Sequence, residues 1–216
     1  MKLATLKSDS PDGTLVIVSS DNKRCVNASH IAPNMLAAIE NWDAVKGQLN
    51  DLFQALNEGH ASEATSFDAL SARAPLPRTW QWLDGSAFPE HGHLMQKAYN
   101  LPPIESDKPL MYQGMSDRFY GPSDDVPFPA EDGGIDFEGE FGIIVDAVPM
   151  GTSAKDAMAH IKLIVQLNDW SLRNVAVAEM KTGFGWVEHH GKRTRPRPPR
   201  RPEEHHFWRR ARKLNI

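Results

Sequence analysis

The chain of 216 residues has one cysteine, Cys25. An internal disulfide is therefore excluded, and a reducing cytoplasm is the expected setting. No apolar run approaches the length of a membrane span. The opening residues, Met1-Lys-Leu-Ala-Thr-Leu-Lys-Ser-Asp-Ser10, lack an apolar stretch, so no secretion signal is expected. Internal repeats are absent as well. The hydrophobic content is low, 40%, but globular, and the length suits one or two domains with a real core.

The first region divides cleanly. Lys2 to Leu6 predicts a strand, Pro11-Asp-Gly13 a hairpin turn and Thr14-Leu-Val-Ile-Val-Ser19 a second strand. From Met35 to Leu56 the apolar residues recur at helical spacing. Leu36, Ile39, Trp42, Val45, Leu49, Leu52, Phe53 and Leu56 form one stripe, and Asn34 is the N-cap. That stripe reads as a core-facing helix with no chemistry. Residues 59–66 read as a linker, and Ala74-Pro-Leu-Pro-Arg78 opens a second domain.

Acids inside apolar runs mark that second domain. Ile135-Asp-Phe-Glu-Gly-Glu-Phe-Gly-Ile-Ile-Val145 is strand-like, yet holds Glu138 and Glu140. Residues i and i+2 of a strand share a face, which sets the two carboxylates side by side, about 7 Å apart along the backbone. Unpaired carboxylates on a core face are costly, and a hard cation such as Mg²⁺, Ca²⁺ or Mn²⁺ relieves that cost. The competing reading is a solvent-facing row, Asp136-Glu138-Glu140, with Phe137, Gly139 and Phe141 turned inward. A third carboxylate follows in Ile164-Val-Gln-Leu-Asn-Asp169-Trp-Ser, a strand running into a turn. Between them, Gly151 to His160 reads as a helix capped by Thr152 or Ser153.

With these pieces in view the chain resembles the fumarylacetoacetate hydrolase family. The resemblance rests on Leu83-Asp-Gly-Ser-Ala-Phe-Pro-Glu-His91, Pro109-Leu-Met-Tyr-Gln-Gly114, Asp136-Phe-Glu-Gly-Glu-Phe-Gly142, Leu167-Asn-Asp-Trp-Ser-Leu-Arg173 and Met180-Lys-Thr-Gly-Phe-Gly185, in the family's order and spacing. It implies metal carboxylates at Glu138, Glu140 and Asp169, with Asp84 as a more variable fourth. It implies a catalytic histidine at His91, a substrate-contacting tyrosine at Tyr112 and a lysine beside the metal at Lys181. Each has a plainer reading. His91 could lie in a solvated turn, Tyr112 in the core and Lys181 at an exposed helix end. Arg173 reads as a brace through an ion pair. Where some family members carry a substrate-binding glutamine, this chain has Ala176, so that contact does not transfer.

The resemblance further implies a C–C bond hydrolase of a 1,3-dicarbonyl acid, of the fumarylacetoacetate or acylpyruvate type found in aromatic catabolism. The cofactor would be Mg²⁺ or Mn²⁺, with Ca²⁺ as a further option. Tautomerisation or decarboxylation could run at the same site. The implied fold class is α+β: a small N-terminal β/α module over 1–73 and, over 74–187, an incomplete mixed β-sandwich roll. A homodimer is expected from the resemblance alone.

Residues 188–216 differ from the rest. They carry 10 Lys+Arg against 3 Asp+Glu, a net +7, whereas residues 1–187 carry 14 against 25, a net −11. Three readings compete: a basic arm for nucleic acid or an acidic partner, a solvated tail poor in apolar residues, and text from a shifted reading frame. The third is preferred, because the family resemblance stops near Val187 and Arg/Pro/His-rich text is what GC-rich DNA yields out of frame. On that reading the chain is truncated and its activity impaired. The alternative function is a non-enzymatic protein with a basic C-terminal arm, for which nucleic acid is the less favoured partner. Membrane partners are not expected.

Overall fold

The computed structural model describes residues 1–100, 102–103 and 110–182. Strands β1 (Lys2–Leu6) and β2 (Thr14–Val18) form the expected hairpin, with Leu6 opposite Thr14. The connection ends at Gly13, whose φ of 67° is left-handed. A Cβ there would press on the Leu6 carbonyl and the Thr5 side chain, so only glycine suits the turn. β3 (Arg24–Asn27) pairs with β2.

The stripe from Met35 to Leu56 forms two helices rather than one: α1 (Met35–Glu40) and α2 (Trp42–Glu58). Between them Asn41 leaves the helical region, at φ −120° and ψ 28°. Its side-chain amide donates to the Ala37 carbonyl at 3.0 Å, the local bonding by which asparagine competes with a helix ladder. Asn34 caps α1 as expected, its Oδ1 accepting from the Ala37 N–H at 2.9 Å. Met35, Ile39, Trp42, Val45, Leu49 and Leu56 share one buried cluster with Leu15, Ile17 and Val26 of the sheet. Residues 65–66, read as the end of a linker, form β4 (Thr65–Ser66), which completes the order β1-β2-β3-β4.

An ion pair ties the β1–β2 turn to the segment that leads into the next strand. Arg78 donates from Nε to Asp12 Oδ1 at 2.6 Å and from a terminal nitrogen to Oδ2 at 3.0 Å. The Arg78 hydrogen bond holds the Asp12 carboxyl below its usual range. A depressed folded-state pKa stabilises the fold above the unfolded value near 3.8, and that stabilisation is lost as pH falls through the lower folded value. The urea midpoint of Asp12→Asn should therefore fall less between pH 5 and about pH 2 than that of the parent chain. Parallel acid limbs would show that the clamp contributes nothing.

Beyond the clamp the elements are β5 (Trp82–Ser86), α3 (Pro89–Tyr99), β6 (Leu110–Gly114), β7 (Ile135–Asp136), β8 (Gly139–Val145), α4 (Ala154–Ala157), β9 (Ile161–Asn168), β10 (Ser171–Leu172) and α5 (Arg173–Thr182). They make three antiparallel pairs: β5 with β6, β8 with β9, and β7 with β10. Ser153 caps α4, accepting from the Asp156 N–H at 3.2 Å, but the helix is only one turn long and passes into a 3₁₀ turn. One face of the β8–β9 hairpin meets the N-terminal module through Ile144, with Leu163 and Val165 beside it. The other face exposes Phe141, Ile143 and Ile164. Helices and small open sheets together make the fold α+β, the class implied by the resemblance. Residues 188–216, the basic segment, and the side chain of Lys181 lie outside what the structure describes.

Candidate metal centre

Three of the four anticipated carboxylates converge. One oxygen each from Asp84, Glu140 and Asp169 can be chosen so that all lie within 4.8 Å of one another. Asp84 and Tyr112 are direct cross-strand partners in the β5–β6 pair, Glu140 is the second residue of β8, and Asp169 comes directly after the last residue of β9. Three elements thus deliver one carboxylate apiece. Asp169 is buried, 4% exposed, and its backbone N–H donates to the Glu138 carbonyl at 2.9 Å. Two unit charges 4.8 Å apart repel by about 3–4 kcal/mol at an effective dielectric near 20. Three carboxylates at that spacing form an oxygen-only donor set of the kind hard divalent ions take, so the residues present fit such an ion.

Tyr112 joins the group through its hydroxyl. It donates to Asp84 Oδ2 at 2.8 Å and lies 3.4 Å from Asp169 Oδ2. Burial, then the charges of Asp169, Asp84 and Glu140, push its pKa far upward. The phenol stays protonated and serves as a donor among acids.

Glu138 takes a different position. The expected single strand is interrupted at Phe137-Glu138, between β7 and β8. Both backbone groups of Glu138 are taken from the β9 end: its N–H donates to Asn168 Oδ1 at 3.0 Å, and its carbonyl accepts from Asp169. Its carboxylate receives the hydroxyl of Ser171 at 2.5 Å and an Arg173 guanidinium nitrogen at 2.7 Å, both on Oε1. The simple i, i+2 alternation is thereby corrected. Glu138 and Glu140 do not sit side by side on one strand, and Glu138 is not among the three clustered carboxylates.

Arg173 spans two acids. Its Nε donates to Asp136 Oδ2 at 2.9 Å while the other end reaches Glu138. Burial opposes its charge, but Asp136 and Glu138 outweigh that and raise its pKa. The same hydrogen bond lowers the Asp136 carboxyl. The start of α5 is set by Gly134, at φ 71°, whose carbonyl accepts from the Arg173 N–H at 2.8 Å.

Comparison with known proteins bears on this arrangement. Residues 1–78 match the family described as fumarylacetoacetase N-terminal domain 2, and residues 81–197 match fumarylacetoacetate (FAA) hydrolase C-terminal. The chain belongs to the fumarylacetoacetate hydrolase family. The second match runs ten residues past Val187, where the sequence reading ends the resemblance. No curated protein matches. Among solved structures, one described as an HpcE protein from Mycobacterium smegmatis is similar in fold, with a TM-score of 0.59 at 18% identity. The alignment covers 82% of this chain and 57% of that one, so the present chain spans little more than half of that neighbour's length.

The other residues anticipated for this fumarylacetoacetate hydrolase family member lie in different settings. His91 is on α3, two residues after its first residue Pro89, and is half-buried in a helix rather than in a solvated turn. Among the described residues no hydrogen bond joins it to the three carboxylates. Lys181 is the penultimate residue of α5. Ala176, at the position of the family glutamine, is buried. Sequence reading missed two participants. Ser171 is fully buried against Glu138, and Asn168 holds the Glu138 backbone. Both flank Asp169 in the Asn-Asp-Trp-Ser stretch, whose polar residues at a strand end were the available signal. Trp170 lies between them, edge-on to Phe128 at 5.7 Å and Phe137 at 6.2 Å. Among the described residues, no helix is long and apolar enough to cross a membrane.

Proposed function

We propose that this chain carries the site of a divalent-metal-dependent hydrolase that cleaves a carbon–carbon bond in a 1,3-dicarbonyl acid, of the fumarylacetoacetate or acylpyruvate type. The observation that carries the reading is the convergence of Asp84, Glu140 and Asp169 inside the family-matched segment. These three would hold Mg²⁺ or Mn²⁺. When bound, the ion supplies Lewis acidity to a coordinated carbonyl oxygen and stabilises developing enolate charge.

The chain's own groups supply the rest. His91 accepts a proton from water as its oxygen bonds to one carbonyl carbon. The bond between that carbon and the central methylene then breaks, leaving a carboxylic acid and a carbanion. His91 returns its proton to the methylene carbanion, so atoms and charge balance. Lys181 adds positive charge where negative charge develops. Tyr112, a protonated donor, contacts the substrate from β6. Arg173 and Ser171 keep Glu138 in place as a neighbouring carboxylate.

The test uses the full chain with an acylpyruvate, in Mn²⁺ and in EDTA. The expected result is a rise in melting temperature on adding the acylpyruvate in Mn²⁺ but not in EDTA. Pyruvate and the free acid should form slowly, and His91→Ala should be slower by roughly 10²–10⁴-fold. A chain that holds Mn²⁺ yet neither binds nor cleaves the acylpyruvate would overturn the reading.

A further inference from the structure

We infer that Tyr112 is a positioning residue for the cation site: its hydroxyl tethers Asp84 to Asp169 and so joins two ligands carried by separate β-hairpins. The inference rests on the metal reading above. Asp84 belongs to the β5–β6 pair, while Asp169 and Glu140 belong to the β8–β9 pair. Among the described residues no strand ladder connects the two pairs, since each is a separate two-stranded sheet. For one ion to meet ligands from both pairs, Asp84 must be held close to Asp169. The Tyr112 hydroxyl does so from the position directly across the ladder from Asp84, at 2.8 Å from one Asp84 oxygen and 3.4 Å from one Asp169 oxygen.

The chemistry of the group suits the task. An ionised phenolate among three carboxylates would add a fourth negative charge. An ordinary phenol keeps its proton at neutral pH, so Tyr112 offers a donor and no competing charge. A carboxylate has further lone pairs when it accepts a hydrogen bond. Asp84 and Asp169 can therefore keep the tyrosine and still face an ion, as outer partners of metal ligands commonly require. A phenylalanine would fill the same space without the proton.

The experiment measures Mn²⁺ affinity of the full chain from the electron paramagnetic resonance of the free ion. The set comprises the parent, Tyr112→Phe, Asp84→Ala and the double variant, each checked by circular dichroism. The expected result is a loss of about tenfold to a hundredfold for Tyr112→Phe. That loss should largely vanish when Asp84 is already alanine, because the tether then has lost its Asp84 acceptor. A general packing defect would weaken both backgrounds alike. Equal affinity of parent and Tyr112→Phe overturns the tether and leaves the metal reading standing. Tighter binding by Tyr112→Phe also overturns it, by making the hydroxyl a competitor. A parent chain that takes up no Mn²⁺ overturns the metal reading and the tether together. Should Tyr112→Phe fail to fold, the parent alone decides. Mn²⁺ addition should produce a saturable tyrosine difference absorbance that is lost in Asp84→Ala, and its absence sinks the inference.

Discussion

Saturating Mg²⁺ or Mn²⁺ is expected to raise the melting temperature of this chain, and Asp169→Ala should abolish the rise. An ion that binds only the folded state stabilises it by RT ln(1 + [L]/Kd), about 2.7 kcal/mol at a hundred times the dissociation constant. For a chain of this size that corresponds to roughly 5–10 °C. Asp169 is the decisive position because it is the buried member of the three and is fixed through its backbone to Glu138. A change there removes the buried carboxylate of the three. Glu140→Ala should behave similarly, since it withdraws one of the three clustered oxygens. Differential scanning fluorimetry in EDTA and in each ion reads the effect directly. Identical melting curves for the parent chain with and without ions would remove the metal from the account.

Leu49→Ala should be the most damaging single change outside the site. Leu49 is fully buried on α2 among the module's apolar side chains, and truncation of such a leucine costs about 2–5 kcal/mol through lost transfer energy and the cavity left behind. Urea unfolding should show a lower midpoint at an unchanged slope. Mn²⁺ affinity measured well below the transition should be unaltered, because the carboxylates come from β5, β8 and the end of β9. A loss below about 1 kcal/mol, under the range for a buried leucine, would mean that α2 is not the keystone of this core.

The two halves of the chain were legible to different degrees, for physical reasons. In the module the fold is local. Leu6 and Thr14 are neighbours in a hairpin, and the α1–α2 stripe repeats at the spacing of one helix face. Local alternation and periodicity report such structure well. Even there the break at Asn41 escaped notice, because one side-chain hydrogen bond to Ala37 outweighs an unbroken apolar pattern. At the site the decisive pairings are distant in sequence. Ser171 pairs with Asp136, and Glu138 is gripped from Asn168, Asp169, Ser171 and Arg173. Nothing in the alternation of residues 135–145 signals that the strand is cut by partners so far along the chain. Asp169 could be read from its place at the end of an apolar strand. Asp84 could not, since a lone acid in Leu83-Asp-Gly-Ser is an ordinary turn composition; it entered only through the family resemblance. Ser171 was visible as a letter but its burial was not.

The uneven distribution of buried side chains separates two time scales of motion. Among the described residues, the fully enclosed apolar groups lie mostly in β2, β3, α1 and α2, while the β8–β9 hairpin contributes Ile144 and leaves Phe141 and Ile164 facing water. Segments with few enclosed contacts open at lower free energy than the global transition. Backbone amides of β8 and β9 should therefore trade protons with solvent through excursions smaller than global unfolding, and each excursion would draw Glu140 and Asp169 away from Asp84. Release of an ion held by the three carboxylates would then follow this partial opening and not the lifetime of the folded chain.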